Sequence, residues 1–150
     1  MFLTETGRGG KDMILIACVD DNLGMIFNSR RQSRDRILRE RILKITAGSV
    51  LWMSPYTAEL FEKSGVGTKI QVDAQYLKKA GSGDYCLAEK DSVRPYEGKC
   101  EKILLFHWNR RYPADLYFDI PLKEHGWKVV KTEEFPGSSH DKITEEDYEK

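Results

Sequence analysis

"SVLWMSPYTAEL", residues 49–60, carries a short apolar run directly into a helix start. Residues 49–53 are apolar enough for a strand buried on both faces. Ser54 then offers a hydroxyl to free backbone N–H groups, and Pro55 suits the first helical position because its missing N–H has no intrahelical partner there. The helix is expected to stop at Ser64-Gly65. A strand running straight into a helix is the unit of an α/β fold, and the rest of the chain extends it.

Upstream, "MILIACV" (13–19) is a continuous apolar run ended by Asp20-Asp21-Asn22, as expected of a strand in the middle of a sheet. Leu38, Ile42 and Ile45 share one face of a helix predicted over about 33–46, with Asp35 in its first turn, Lys44 in its last and Gly48 ending it. Downstream, "TKIQV" (68–72) reads as a strand, Asp73 can cap the short helix "AQYLKKAG", and "DYCLAE" (84–89) is a further strand before the turn-rich "KDSVRPYEGK". "EKILLFHW" (101–108) is the second strongly apolar strand. "ADLYFDI", "GWKVVKTEEF" and "DKITEEDY" alternate and are separated by Pro, Gly and Ser, the pattern of closing antiparallel strands. A mixed α/β sheet of about eight strands with flanking helices follows, as one domain over residues 13–150 behind a flexible leader, residues 1–12.

The chain of 150 residues balances 24 basic against 24 acidic side chains, yet residues 29–44 carry seven basic and two acidic groups and residues 131–150 three basic and seven acidic. Cys18, Cys86 and Cys100 are odd in number and far apart, which suits reduced thiols in the cytoplasm. No zinc spacing occurs, and no apolar run is long enough to span a bilayer. No metal, cofactor or membrane partner is expected.

"ILIACVDDNLGM", "VLWMSPYTAEL", "PADLYFDI", "GWKVV" and "ITEEDYEK" resemble, in this order, segments of the dihydrofolate reductase fold. The resemblance implies an NADPH- and pteridine-dependent reductase, with Asp35 where the family keeps its substrate-binding acid and Thr57 and Glu59 as remnants of its cofactor-phosphate motif. Three departures stand against that activity. The lid segment Leu-Pro-Trp is replaced by a shorter "SRRQSRD". The Gly-Arg pair of the phosphate motif is Ser54-Pro55, which brings no charge and one N–H fewer. The "ILLF" strand runs into "HWNRRYPAD" where a Gly-Gly turn and a helix should follow. "FNSRRQSRDRIL" also resembles a small family of Firmicutes and their mobile elements, sometimes labelled ribonuclease Z, but the His-x-His-x-Asp-His zinc motif of that enzyme is absent.

Arginine dominates the basic segment, and its planar fork suits phosphate better than lysine does. Arg30, Arg31, Arg34 and Arg36 are the candidate phosphate contacts; a solvated face trimmed by the pairs Asp35–Arg39 and Glu40–Lys44 is the plain alternative. "FHWNRRY" adds His107, Trp108, Arg110, Arg111 and Tyr112, the mixture of aromatics and arginine that stacks on unpaired bases, or else ordinary core aromatics at a strand end. In the resembling fold the two segments would share one sheet edge. Asp35 has three open roles: pteridine ligand, helix-terminal acid held by local N–H groups, or catalytic base. The leading expectation is a non-catalytic accessory or inhibitory protein of a mobile element or phage. Its partner would be nucleic acid, RNA or a single strand, or a nucleoprotein complex such as a CRISPR effector. The alternatives are the reductase, and a metal-independent ribonuclease using Glu40 and His107 as acid and base.

Overall fold

The computed structural model describes residues 12–61 and 67–150, so the expected leader, apart from Asp12, and the helix end at Ser64-Gly65 lie outside the described residues. The described chain runs β1 (Met13–Val19), β2 (Gly24–Phe27), β3 (Arg30–Arg31), α1 (Arg36–Ile45), β4 (Val50–Met53) and α2 (Pro55–Ala58), with a 3-10 turn at Glu59–Phe61. It continues through β5 (Lys69–Val72), α3 (Tyr76–Lys79), β6 (Tyr85–Ala88), a second 3-10 turn (Arg94–Lys99), β7 (Cys100–His107), β8 (Leu116–Tyr117), β9 (Lys128–Phe135) and β10 (Ile143–Glu149).

Seven strands form one mixed sheet in the order β5-β4-β6-β1-β7-β10-β9. The first five are mutually parallel, and β10 and β9 close the sheet antiparallel. The two most apolar strands are central neighbours, in register from Ile14 opposite Lys102 to Val19 opposite His107. Side chains alternate between faces along each strand. Ile16, Leu104 and Phe106 meet Leu38 and Ile42 of α1 on one face. Leu15, Ala17, Ile103 and Leu105 meet Tyr76, Phe118, Ile120 and Trp127 on the other.

Four details differ from the sequence expectation. First, α1 begins at Arg36, because Asp35 is its N-cap: extended at φ −150° and ψ 124°, its carboxylate accepts from Ile37 N and Leu38 N. Second, the expected closing strand "ADLYFDI" shrinks to β8 and leaves the main sheet for a small one of order β3-β2-β8. Third, β2 and β3 form a hairpin whose two turn residues, Asn28 and Ser29, both take positive φ, 54° and 61°. Such a turn matches the strand twist and ordinarily carries glycine. Fourth, the central strand that crosses over through a helical turn is β6, whose end reads Glu89-Lys90; β7 turns back instead towards the antiparallel strands. Among the described residues no helix is long and apolar enough to cross a membrane.

Candidate functional site

In open α/β sheets, ligands bind beyond the carboxyl ends of the parallel strands. Here the chain's own side chains bond to one another at the ends of β4 and β6. Thr57, fully buried in the first turn after β4, donates Oγ1 to Glu89 Oε1 at 2.8 Å. Arg31 reaches the same carboxylate from the hairpin, with Nε to Oε2 at 3.1 Å and Nη2 to Oε1 at 3.2 Å. Tyr56 completes the cluster: its hydroxyl accepts from Arg31 N at 2.8 Å, and its ring lies 4.1 Å from the guanidinium carbon. Arg31 is therefore an internal ion-pair partner rather than a free phosphate contact, which corrects its place in the expected surface. Thr57 likewise spends its hydroxyl on Glu89, whereas Glu59 is exposed.

Asp35 is 2 % exposed and surrounded by donors. Oδ1 accepts from the backbone N–H groups of Ile37, Leu38 and Ser138, and Oδ2 from Ser139 N, with Ser139 Oγ and His140 Nδ1 also within reach. Burial alone would push its pKa up; the Ser138, Ser139 and Leu38 amides and the His140 ring outweigh it and hold the carboxyl well below the usual carboxylate range. Of the three open roles, this geometry is that of the helix-terminal acid, and it clamps α1 to the loop before β10. Gly137 makes the clamp possible, since a Cβ there would sit 2.8 Å from Ile143 Cδ1 and inside contact distance of the Asp35 carboxylate.

His140 continues the network: its Nε2 meets Tyr112 Oη at 2.9 Å, and its ring stacks on Trp108 with centroids 4.5 Å apart. Trp108 is 5 % exposed. It is a core residue, and the expectation that it stacks on bases is corrected: alternation along β7 turns it to the α1 face, where the 137–140 loop covers it. His107, one residue earlier, points to the opposite face and binds Glu146 Oε1 at 2.8 Å. Glu40 lies on α1, exposed and paired with Arg36 at 3.2 Å. The sheet thus separates the expected acid–base pair Glu40 and His107. The expected pairs Asp35–Arg39 and Glu40–Lys44 give way to Arg36–Glu40, because Asp35 is turned into the cap.

Between α1 and the sheet, beside Asp35, Cys18, Leu38, Leu87 and Trp108, the described residues leave a cavity of about 30 Å³. That is water-sized, against roughly 300–1,000 Å³ for small-molecule sites. The open space lies outside. A groove of about 460 Å³ is lined by Arg30, Arg31, Ser33, Arg34 and Tyr56. A second, of about 300 Å³, is lined by Phe27, Asn28, Arg30, Arg31, Gln32, Tyr112 and Pro113. The two adjoin across Arg30 and Arg31.

Asp20 joins the two basic segments. Its buried carboxylate accepts from Asn22 N and Gly24 N through Oδ1, and from Tyr112 N at 3.1 Å and Gln32 Nε2 at 3.3 Å through Oδ2. Gln32 Nε2 also reaches Pro113 O at 3.2 Å, and Asp21 N bonds Arg110 O at 2.8 Å. Arg30, Arg34, Arg110 and Arg111 remain exposed around this junction, and Lys90 Nζ lies 4.5 Å from the Tyr56 ring centroid. Phe27, opposite Arg30 in the hairpin, is 46 % exposed. Sequence reading missed Phe27, Tyr56, Glu89 and Asp20; the only signal was the apolar β2 run "GMIF" beside "NSRR". Among the described residues, no group of three His, Cys, Asp or Glu could hold a metal ion.

No protein-family model and no curated protein matches the chain by sequence. Among solved structures, the dihydrofolate reductase from Enterococcus faecalis complexed with NADP(H) and RAB-propyl matches over 91 % of this chain and 95 % of that chain, with a TM-score of 0.62 and 12 % identity. The fold is dihydrofolate reductase-like. No finding supports the resemblance to proteins labelled ribonuclease Z. Relative to the reductase-like expectations, the phosphate position after β4 holds Ser54-Pro55, and the Ser54 hydroxyl caps Thr57 N at 3.2 Å. The crossover turn after β6 holds Glu89-Lys90, and Asp35 is consumed by the clamp.

Proposed function

We propose that this chain is a non-catalytic binding protein on a reductase-like scaffold, which engages the phosphates of nucleic acid through Arg30, Arg34, Arg110 and Arg111. The partner class is RNA or another single strand, free or within a nucleoprotein. The carrying observation is the Asp20 junction, which gathers two arginine-bearing segments from distant parts of the chain around two adjoining grooves and leaves their guanidiniums exposed. Phe27 supports a single strand over a duplex, because an exposed ring beside Arg30 can stack on an unpaired base. The Thr57 hydroxyl spent on Glu89 and the occupied Asp35 support binding over reduction. An accessory or inhibitory role towards a nucleoprotein is the biological form of this reading.

The test is fluorescence anisotropy with labelled single-stranded RNA, single-stranded DNA and duplex over a salt series. Arg30→Ala, Arg34→Ala, Arg110→Ala and Arg111→Ala should each lower the magnitude of the salt slope by about one and weaken binding similarly across sequences. Phe27→Ala should weaken single strands by about 1–3 kcal/mol with an unchanged slope. Retention of a nucleoprotein from extract, lost in the same variants without any affinity for naked strands, would shift the partner to the assembled complex. Wild-type behaviour of all five variants in both assays would sink the proposal.

A further inference from the structure

Strand β9 closes one end of the seven-stranded sheet, pairing only with β10 among the described strands. It is eight residues long, and all but Phe135 are exposed. Val129 and Val130 are 45 % and 55 % exposed, among the most exposed large apolar side chains described. A long edge strand presents a row of free N–H and C=O groups and is a template for another strand.

The sequence of this edge, "KVVKTEEF" (128–135), separates its charges, with Lys128 and Lys131 towards one end and Glu133 and Glu134 towards the other. We infer that β9 pairs antiparallel with β9 of a second copy of this chain, continuing the sheet across a two-fold axis. A register centred on Thr132 sets each Lys131 opposite the other copy's Glu133, and it brings Val129 and Val130 alongside the end bearing Glu134 and Phe135. A parallel, in-register pairing would set lysine beside lysine and glutamate beside glutamate, which is unfavourable. Lysines on a free edge usually guard against association; here Lys131 lies 3.4 Å from Glu133 of its own strand, Glu133 also pairs with Arg41 and Glu134 with Lys142, so the edge is charge-balanced and the guard is weakened against a second copy of itself. The irregularity at Val130, where the β9–β10 register shifts between Asp147 and Tyr148, bends the edge and limits the pairing. An interface of two such strands falls at the small end for stable complexes, so the dimer is concentration-dependent. This inference is independent of the basic grooves.

The experiment is light scattering coupled to size exclusion on the full chain, freed of nucleic acid, over a dilution series. The wild type should move from the mass of two chains to that of one. An acidic edge, Lys131→Glu, and a basic edge, Glu133→Lys, should each raise the dimer Kd by about tenfold or more. Mixing the two at equal amounts should restore dimers, a rescue that misfolding cannot imitate, and circular dichroism should show both variants folded. A wild type that stays single at every concentration, or edge variants that dimerise as the wild type does, would overturn the inference.

Discussion

The imidazole of His140 lies flat on the indole of Trp108, centroids 4.5 Å apart and planes 23° apart, while its two nitrogens face Asp35 and Tyr112. Trp108→Ala should therefore act on the fold, destabilising it by about 3–5 kcal/mol in urea titrations. Variant protein that remains folded should bind single strands as the wild type does, since the ring faces the core.

Asp35→Asn tests the clamp at the start of α1. A depressed folded pKa means that the carboxylate's contribution is complete above its unfolded pKa, about 4, and is lost as pH falls further. The stability gap between wild type and Asp35→Asn should be constant from pH 5 to 8, on the order of 2 kcal/mol. It should close below pH 4. A gap unchanged by acid would mean that the clamp does not depend on the charge.

Asp147 gives the opposite sign. Burial first, then the neighbouring Glu145 carboxylate, pushes its pKa up to about 7. In the folded state it keeps a proton that the unfolded chain has lost, so wild-type stability should fall as pH rises from about 4 to 7. Asp147→Asn should remove this slope and be more stable than wild type above pH 7, by on the order of 1–2 kcal/mol. Thermal melts across pH would read both effects.

Arg31 must behave unlike its neighbour Arg30. Removing it leaves the Glu89 carboxylate, 16 % exposed, with Thr57 as its remaining partner in the cluster, so Arg31→Ala should cost about 2–4 kcal/mol of stability. Arg30→Ala should change stability by less than about 0.5 kcal/mol and affect binding alone. Equal stability losses would show that the two arginines share one role.

NADPH or a dihydropteridine at saturating concentration should leave the melting temperature unchanged, because a ligand raises it only by binding the folded state. The replacement of the phosphate-motif pair by Ser54-Pro55, the pairing of Thr57 with Glu89 and the water-sized space beside Asp35 motivate this outcome. A shift of several degrees, or turnover of dihydrofolate, would return the chain to the reductases.

What could be read from the sequence was what local chemistry dictates. The apolar runs of β1 and β7 announced central strands, and Ser54-Pro55 announced the start of α2. The readings that failed depend on residues far apart in the chain. The cap at Asp35 was itself legible as a helix-terminal acid held by local N–H groups, those of Ile37 and Leu38; the clamp added by Ser138 and Ser139 was not, since no spacing within 33–46 encodes it. Trp108 looked like a surface aromatic among arginines because its cover, His140, lies 32 residues on in a polar loop. The β2–β3 hairpin hid because its turn uses Asn28 and Ser29 without glycine. Arg31 and Glu89 could not be paired before the topology set β6 beside the hairpin.

The position of β1 also governs how the chain can be made. Both of its neighbours, β6 and β7, lie about seventy to ninety residues downstream, so this apolar segment emerges well before either of its partners. A ribosome-bound chain ending before residue 107 would display "MILIACV" with its second neighbour incomplete, and no hairpin within the first half of the main sheet can shelter it. Stalled nascent chains should therefore bind chaperones until β7 clears the exit tunnel, with protection from proteolysis appearing abruptly at that length rather than accumulating.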